Sequence, residues 1–224
     1  MENVSTINQV NKVIKVYAFS TPNSVRVPIA LEELGLDYTL QAVNVRKGEQ
    51  KHADYLATNP NGKVPVIVDP NGPNGQSFTL TESGAILVYL AEKTGRLIPS
   101  DVFGRARVLE QTFFHLSGIG PALGQVGFFK RQAAEQIPYA ISRFQTEAER
   151  VLKVLDGTLS RSEFAAGDVF TIADIAHFGW LWRREFAGIT FDSTPNIARW
   201  YESIAARPAI VRAIERVTAL VPLA

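Results

Sequence analysis

Cysteine is absent from the 224-residue chain. That absence excludes a disulfide framework, thiolate-bound zinc, iron–sulfur clusters and any reaction in which the protein itself supplies a sulfur nucleophile. Histidine is scarce: His52, His115 and His177 lie far apart, so no imidazole-built metal site is expected. Neither sign of charge dominates, with 23 Lys and Arg against 22 Asp and Glu. The chain therefore lacks the electrostatic footprint of a nucleic-acid binder or an anionic-membrane binder. It also lacks any run of about eighteen apolar residues, so no membrane-spanning helix is expected. Met1 to Lys12 show no apolar h-region and no small-residue cleavage site. Residues 1–12 are expected to form a loose extension, and the protein is expected to be cytoplasmic.

What is present describes two halves built differently. Val13–Phe19 is short and β-branched, a strand. Ser20-Thr21-Pro22-Asn23-Ser24 follows with turn and cap chemistry, and Val25–Leu34 then carries apolar residues at helical spacing until Gly35. Tyr38–Val45 alternates as a half-buried strand does, and the polar Arg46–Asn59 segment holds a short, weakly amphipathic helix. Val64–Val68 and Phe78–Leu80 flank a stretch dense in turn formers, Asp69 to Gly75, which makes the pair a hairpin. Ser83 opens a helix that runs to about Lys93 and is closed by Gly95.

Past Gly95 the strand signal disappears. Arg96–Gly104, with Pro99 and Gly104, reads as a linker. Beyond it only helical periodicity remains, clearest over Ile137–Leu159, with further helices opening at Thr171, near Thr194 and around Pro208. All three tryptophans, Trp180, Trp182 and Trp200, fall here. The expected organisation is an α/β domain over 13–95, a linker over 96–104 and an all-helical domain over 105–224.

Three motifs stand out in this frame: Gly62-Lys63-Val64-Pro65, Thr81-Glu82-Ser83-Gly84-Ala85-Ile86 and Thr171-Ile172-Ala173-Asp174. With that organisation, they resemble the glutathione transferase superfamily, whose fold is a thioredoxin-like domain followed by a helical bundle. Thr21-Pro22-Asn23-Ser24, Tyr89 to Gly95 and Ile137-Pro138-Tyr139-Ala140 resemble the Nu class in particular, which includes bacterial disulfide reductases and is related to a fungal nitrogen-catabolite regulator. The resemblance implies glutathione as co-substrate, no metal, and a homodimer.

Each candidate residue carries a chemical reading and a plainer one. The resemblance implies a cis Val64-Pro65 peptide, which would present the Val64 backbone to the cysteinyl unit of glutathione like an added strand edge. A trans proline at a strand start is equally legal. Glu82-Ser83 opens a helix whose N-terminus suits a carboxylate, with Glu82 available for an ammonium, so the pair fits a γ-glutamyl end; an N-cap with an acidic neighbour looks the same in sequence. Gln50 and Lys63 are implied at the glycyl end, against the alternative of a solvated loop amide for Gln50. Thr21 and Asn23 are implied as the groups that stabilise the glutathione thiolate. A free thiol titrates near pH 8.5, and lowering that by about two units takes roughly 2.7 kcal/mol. Both residues could instead cap the first helix. Tyr17 is the rival for that task, although its place in the strand alternation favours a sheet-face role. Tyr139 and Arg143 share one polar face of the long helix, and the resemblance places Arg143 at a ligand carboxylate. Thr171-x-x-Asp174 is a capping box, a folding device.

Gly118 to Gly124 faintly suggests a dinucleotide loop, but no strand precedes it and Leu123 stands where a third glycine is needed. Arg105/Arg107 and Arg183-Arg184 read as solvated faces. The resemblance therefore implies a glutathione-dependent enzyme that binds reduced or oxidised glutathione and reduces small disulfides, or peroxides, with every reacting sulfur coming from ligand. Conjugation to electrophiles by a conventional transferase, and a non-enzymatic glutathione-binding regulator, stay open. The second substrate would depend on helical-domain side chains such as Phe113, Phe114, Phe128, Phe129 and Trp182.

Overall fold

The structure, a computed structural model, describes residues 13–221; the extension expected over 1–12 lies outside the described residues. The described residues divide into two compact units, 13–90 with 209–221, and 91–208.

The first unit is a four-stranded mixed sheet with helices. Its strands are β1 (Ile14–Ala18), β2 (Tyr38–Ala42), β3 (Val66–Asp69) and β4 (Phe78–Thr81), in the order β2-β1-β3-β4. β1 runs parallel to β2, pairing Val16 with Leu40, and antiparallel to β3, pairing Val16 with Ile67. The expected hairpin forms, with Ile67 opposite Leu80. Alternation in β1 buries Ile14, Val16 and Ala18, which join Ile29, Leu31, Ile67, Ile86 and Leu87 among the buried apolar side chains. Helix α1 (Arg26–Leu34) ends at Gly35, whose φ of +69° supplies the left-handed cap that stops it. After β2 come a single 3₁₀ turn (Glu49–Lys51) and α2 (Ala53–Thr58). Helix α3 (Ser83–Thr94) follows β4. This is the thioredoxin-like arrangement expected.

The last helix, α10 (Pro208–Thr218), belongs with this unit almost entirely. Glu32 on α1 accepts from Arg212 at 2.7 Å and Arg216 at 3.2 Å. Arg216 also lies over the Tyr38 ring, 3.8 Å from its centroid.

The second unit is all-helical: α4 (Val102–Phe114), a π turn (His115–Ile119), α5 (Gly120–Arg131), α6 (Pro138–Leu159), α7 (Ile172–Trp182), the short α8 (Arg184–Ala187) and α9 (Pro195–Ala205). Part of the stretch expected as a linker is helix: Asp101 caps α4 by accepting from Gly104 N at 2.8 Å, so 102–104 form its first turn. The glycine-rich 118–124 stretch is a packing device, for a Cβ at Gly120 or Gly124 would stand 3.2 Å from the Trp180 indole. The apolar face of α6, from Ala148 through Val151, Leu152 and Leu155 to Leu159, is buried as its spacing requires. Thr171 and Asp174 form the expected capping box at α7. Asp174 also accepts from Ala165 N at 2.8 Å and Trp200 Nε1 at 2.9 Å, which ties α7 to α9. None of the helices among the described residues is long and apolar enough to cross a membrane.

Candidate functional site

Three loops of the first unit carry nearly all the candidate residues. The first is the turn between β1 and α1. Ser24 N donates to Thr21 Oγ1 at 3.2 Å, the Thr21 hydroxyl donates to Ser24 Oγ at 2.9 Å, and Val25 N donates to Thr21 O at 3.1 Å. Thr21 thus caps its own turn and does not cap α1, whose N-cap position is Val25 with no side-chain bond. Ser24 is wholly buried; its hydroxyl also accepts from Phe19 N at 3.4 Å. Asn23 sits half-buried on the same turn. Tyr17 is on β1, where it packs edge-to-face on Tyr55 with ring centroids 6.0 Å apart, in a cluster with Val43, Val64 and Val66.

The second and third loops meet at Gly62. Its φ of +63° favours glycine, and a Cβ there would stand 3.1 Å from the Gln50 carbonyl oxygen. That close approach brings the Gln50 turn against the Gly62-Lys63-Val64 segment. The Gln50 side chain donates weakly to Val45 O at 3.4 Å, while its Oε1 is buried with no hydrogen-bond partner. Buried acceptors are seldom left unmade, so Gln50 Oε1 has the capacity to accept a further hydrogen bond. The Lys63 side chain is exposed.

The Lys63 carbonyl is clamped. Tyr55 Oη donates to it at 2.6 Å and Asn59 Nδ2 at 2.7 Å, and both side chains are buried. Burial, above all, pushes the Tyr55 hydroxyl up to about 12, so it remains a donor throughout the neutral range. The next peptide, Val64-Pro65, is cis. Asn61 Nδ2 lies 3.5 Å from Glu82 Oε1, which links this loop to the start of α3.

Glu82 has φ of +65°, a left-handed conformation unusual for a residue with a Cβ. Its carbonyl accepts from Ile86 N at 2.9 Å, so the backbone of residue 82 opens the helix and Ser83 is its first residue. The Ser83 hydroxyl accepts from Arg26 Nη1 at 2.9 Å. Arg26 is 1% exposed, and burial pushes its guanidinium down to about 9, still protonated at neutral pH.

The first unit therefore strings Gln50, Lys63, Val64, Pro65, Glu82 and Ser83 together through Gly62 and Asn61, and joins Ser83 through Arg26 to the helix that follows the Thr21–Asn23 turn. Arg143 belongs to the other unit, exposed on α6 beside Tyr139 on the polar face its spacing assigns. Three residues of this architecture escape motif reading: Arg26, Tyr55 and Asn59. A signal existed for Arg26, a charge set between Val25 and Val27 in an apolar run.

Family comparisons fall on these same segments. The glutathione S-transferase N-terminal domain matches residues 21–93 and the C-terminal domain residues 127–208. The chain is 40% identical over 204 residues to the disulfide-bond oxidoreductase YfcG of Escherichia coli, covering 90% of this chain and 94% of that one. Among solved structures it is similar to a glutathione transferase family member from Pseudomonas fluorescens with two glutathione bound, at a TM-score of 0.87 and 39% identity over 92% of this chain and 94% of the other. It is also similar to a glutathione transferase from Pseudomonas putida with one glutathione disulfide bound per subunit, at a TM-score of 0.85 and 37% identity over 91% of each chain.

Proposed function

Because the chain belongs to the glutathione S-transferase family, in its Nu-class branch, we propose that it is a glutathione-dependent enzyme that reduces small disulfides by thiol–disulfide exchange. The observation that carries this reading is the 40% identity to a disulfide-bond oxidoreductase across 90% of a chain without cysteine. With no protein thiolate, one glutathione thiolate attacks a sulfur of the substrate disulfide and expels a thiolate. A second glutathione attacks the mixed disulfide, which gives glutathione disulfide and the second substrate thiol. The relatives holding two glutathione molecules or one glutathione disulfide support a site with room for two glutathionyl units.

In this proposal the chain's residues divide the work. Asn23 stabilises the attacking thiolate, with Thr21, bonded to Ser24, holding the turn that carries it. The Val64 backbone, next to the cis Pro65 peptide, pairs with the cysteinyl unit. Ser83 and the α3 N-terminus take the γ-glutamyl carboxylate, and Glu82 takes its ammonium. Gln50, with its idle buried oxygen, and Lys63 take the glycyl end. Arg143 holds a carboxylate of the second glutathionyl unit. No metal takes part in any step. The enzyme works as a two-fold dimer in the cytoplasm; sedimentation showing only a 24.6 kDa species at micromolar concentration would rule the dimer out.

Turnover with a dialkyl disulfide and with a chloro-aromatic electrophile tests the reading. Disulfide reduction should be the faster; the reverse ranking would make the protein a conjugating transferase, and glutathione binding without either turnover would make it a regulator. Asn23→Ala should lower kcat/KM about tenfold, a loss of about 1.4 kcal/mol. Intact turnover in Asn23→Ala, together with an inactive Tyr17→Phe, would move the sulfur contact to Tyr17.

A further inference from the structure

We propose that Arg26 is a positioning residue that fixes the Ser83 hydroxyl as a hydrogen-bond donor toward the ligand's α-carboxylate. The proposal rests on the reading of Ser83 as the γ-glutamyl contact. Serine at a helix start ordinarily caps by accepting from a backbone N–H two or three residues on. Here the Ser83 hydroxyl is engaged otherwise: its partner is Arg26 Nη1 at 2.9 Å, and the backbone start of α3 is handled by the Glu82 carbonyl.

The direction of that bond is not ambiguous. A guanidinium has only donors, so the serine oxygen must accept. With one lone pair committed to Arg26, the hydroxyl proton turns to another acceptor. A ligand carboxylate at the helix N-terminus is that acceptor, in the place where the helix dipole also favours negative charge. A charged donor behind the oxygen polarises its O–H bond and strengthens the outward donation.

The placement fits that task. Arg26 is the first residue of α1 and is 1% exposed, between buried Ser24, Val25 and Val27. A charge with no duty but solubility would lie in water, because burying it costs free energy. Its bond also spans 57 residues of sequence and joins the helix after the Thr21–Asn23 turn to the helix that holds the γ-glutamyl contact.

Equilibrium binding of glutathione and of 4-aminobutanoyl-cysteinyl-glycine, which lacks only the α-carboxylate, separates positioning from mere stability. Wild type should prefer glutathione by about tenfold or more, the usual range for a hydrogen bond to a charged group. Arg26→Met and Ser83→Ala should each cut that preference by weakening glutathione about tenfold, with analogue affinity changed less than twofold. The double variant should be no worse than either single, because both break one unit. Preference lost in Ser83→Ala but kept in Arg26→Met overturns the Arg26 proposal and leaves the Ser83 contact standing. Wild type showing no preference, with Ser83→Ala silent, overturns the Ser83 reading itself. Where Arg26→Met does not fold, nitrogen NMR of the Arg26 guanidinium decides: glutathione should shift its signal in wild type and not in Ser83→Ala. An unmoved wild-type signal at saturation overturns the proposal.

Discussion

Tyr55 and Asn59 converge on one carbonyl, and removing them in turn should loosen the segment that presents Val64. Tyr55→Phe deletes the 2.6 Å bond and leaves Asn59 Nδ2 at 2.7 Å to satisfy Lys63 O. A neutral hydrogen bond of this kind is worth about 1 kcal/mol net, which corresponds to about a fivefold change if it is felt in glutathione binding. Asn59→Ala removes more, since Asn59 Oδ1 also accepts from Asn61 N at 3.1 Å, the residue that reaches Glu82; about 2 kcal/mol, or roughly thirtyfold, is expected. In the proposed binding mode the Val64 edge holds glutathione before and during reaction alike. The loss should therefore show in KM for glutathione with kcat little changed, the mark of uniform binding. Steady-state kinetics over a range of glutathione concentrations measures it, with thermal melts as the control for folding. Because burial holds the Tyr55 hydroxyl protonated up to about 12, the Tyr55→Phe effect should be the same at pH 6 and pH 9. Lower melting temperatures with KM unchanged in both variants would refute the reasoning, and the clamp would then serve only the fold.

Asp174→Ala should strand the buried donors of Trp200, Ala165 and Thr171 and cost about 3 kcal/mol or more in chemical denaturation; a loss under about 1 kcal/mol would count against that arithmetic. Tyr38, Tyr55 and Tyr89 are all raised, burial being the largest cause in each. The unfolded chain then loses protons near pH 10 while the folded one keeps them, so stability is full below about pH 10 and falls as pH rises above it; melts between pH 8 and 11 should show that fall, and a flat profile would contradict it. Treatment with iodoacetamide followed by its removal should leave disulfide reduction untouched, since the chain carries no cysteine; activity lost with the fold intact would defeat the mechanism.

Local rules wrote much of this fold in plain sight. Gly35 and Gly95, at φ of +69° and +65°, close the helices that their positions foretold, and the alternation around Val16 and the turn formers from Asp69 to Gly75 produce the strand and hairpin they signal. Thr171 and Asp174 are one turn apart, so their box is legible without any knowledge of the rest. Helix α5 was harder: Gly120, Gly124 and Gly127 weaken its helical signal, and their purpose lies in the distant rings of Trp180 and Phe186. The bond between Arg26 and Ser83 is illegible for the same reason, since it joins residues 57 apart in sequence. The site residues share no short window: only chain folding brings Gln50 against Gly62, or Asn61 toward Glu82.

The left-handed backbone at Glu82 sets up a trade-off. A residue with a Cβ at φ of +65° pays about 1 kcal/mol that glycine would not, so Glu82→Gly should make the chain more stable while removing the carboxylate assigned to the ligand ammonium. Selection by heat tolerance alone would therefore enrich a chain that folds better and holds its co-substrate worse. A library of this protein should be ranked on glutathione capture first and melting temperature second.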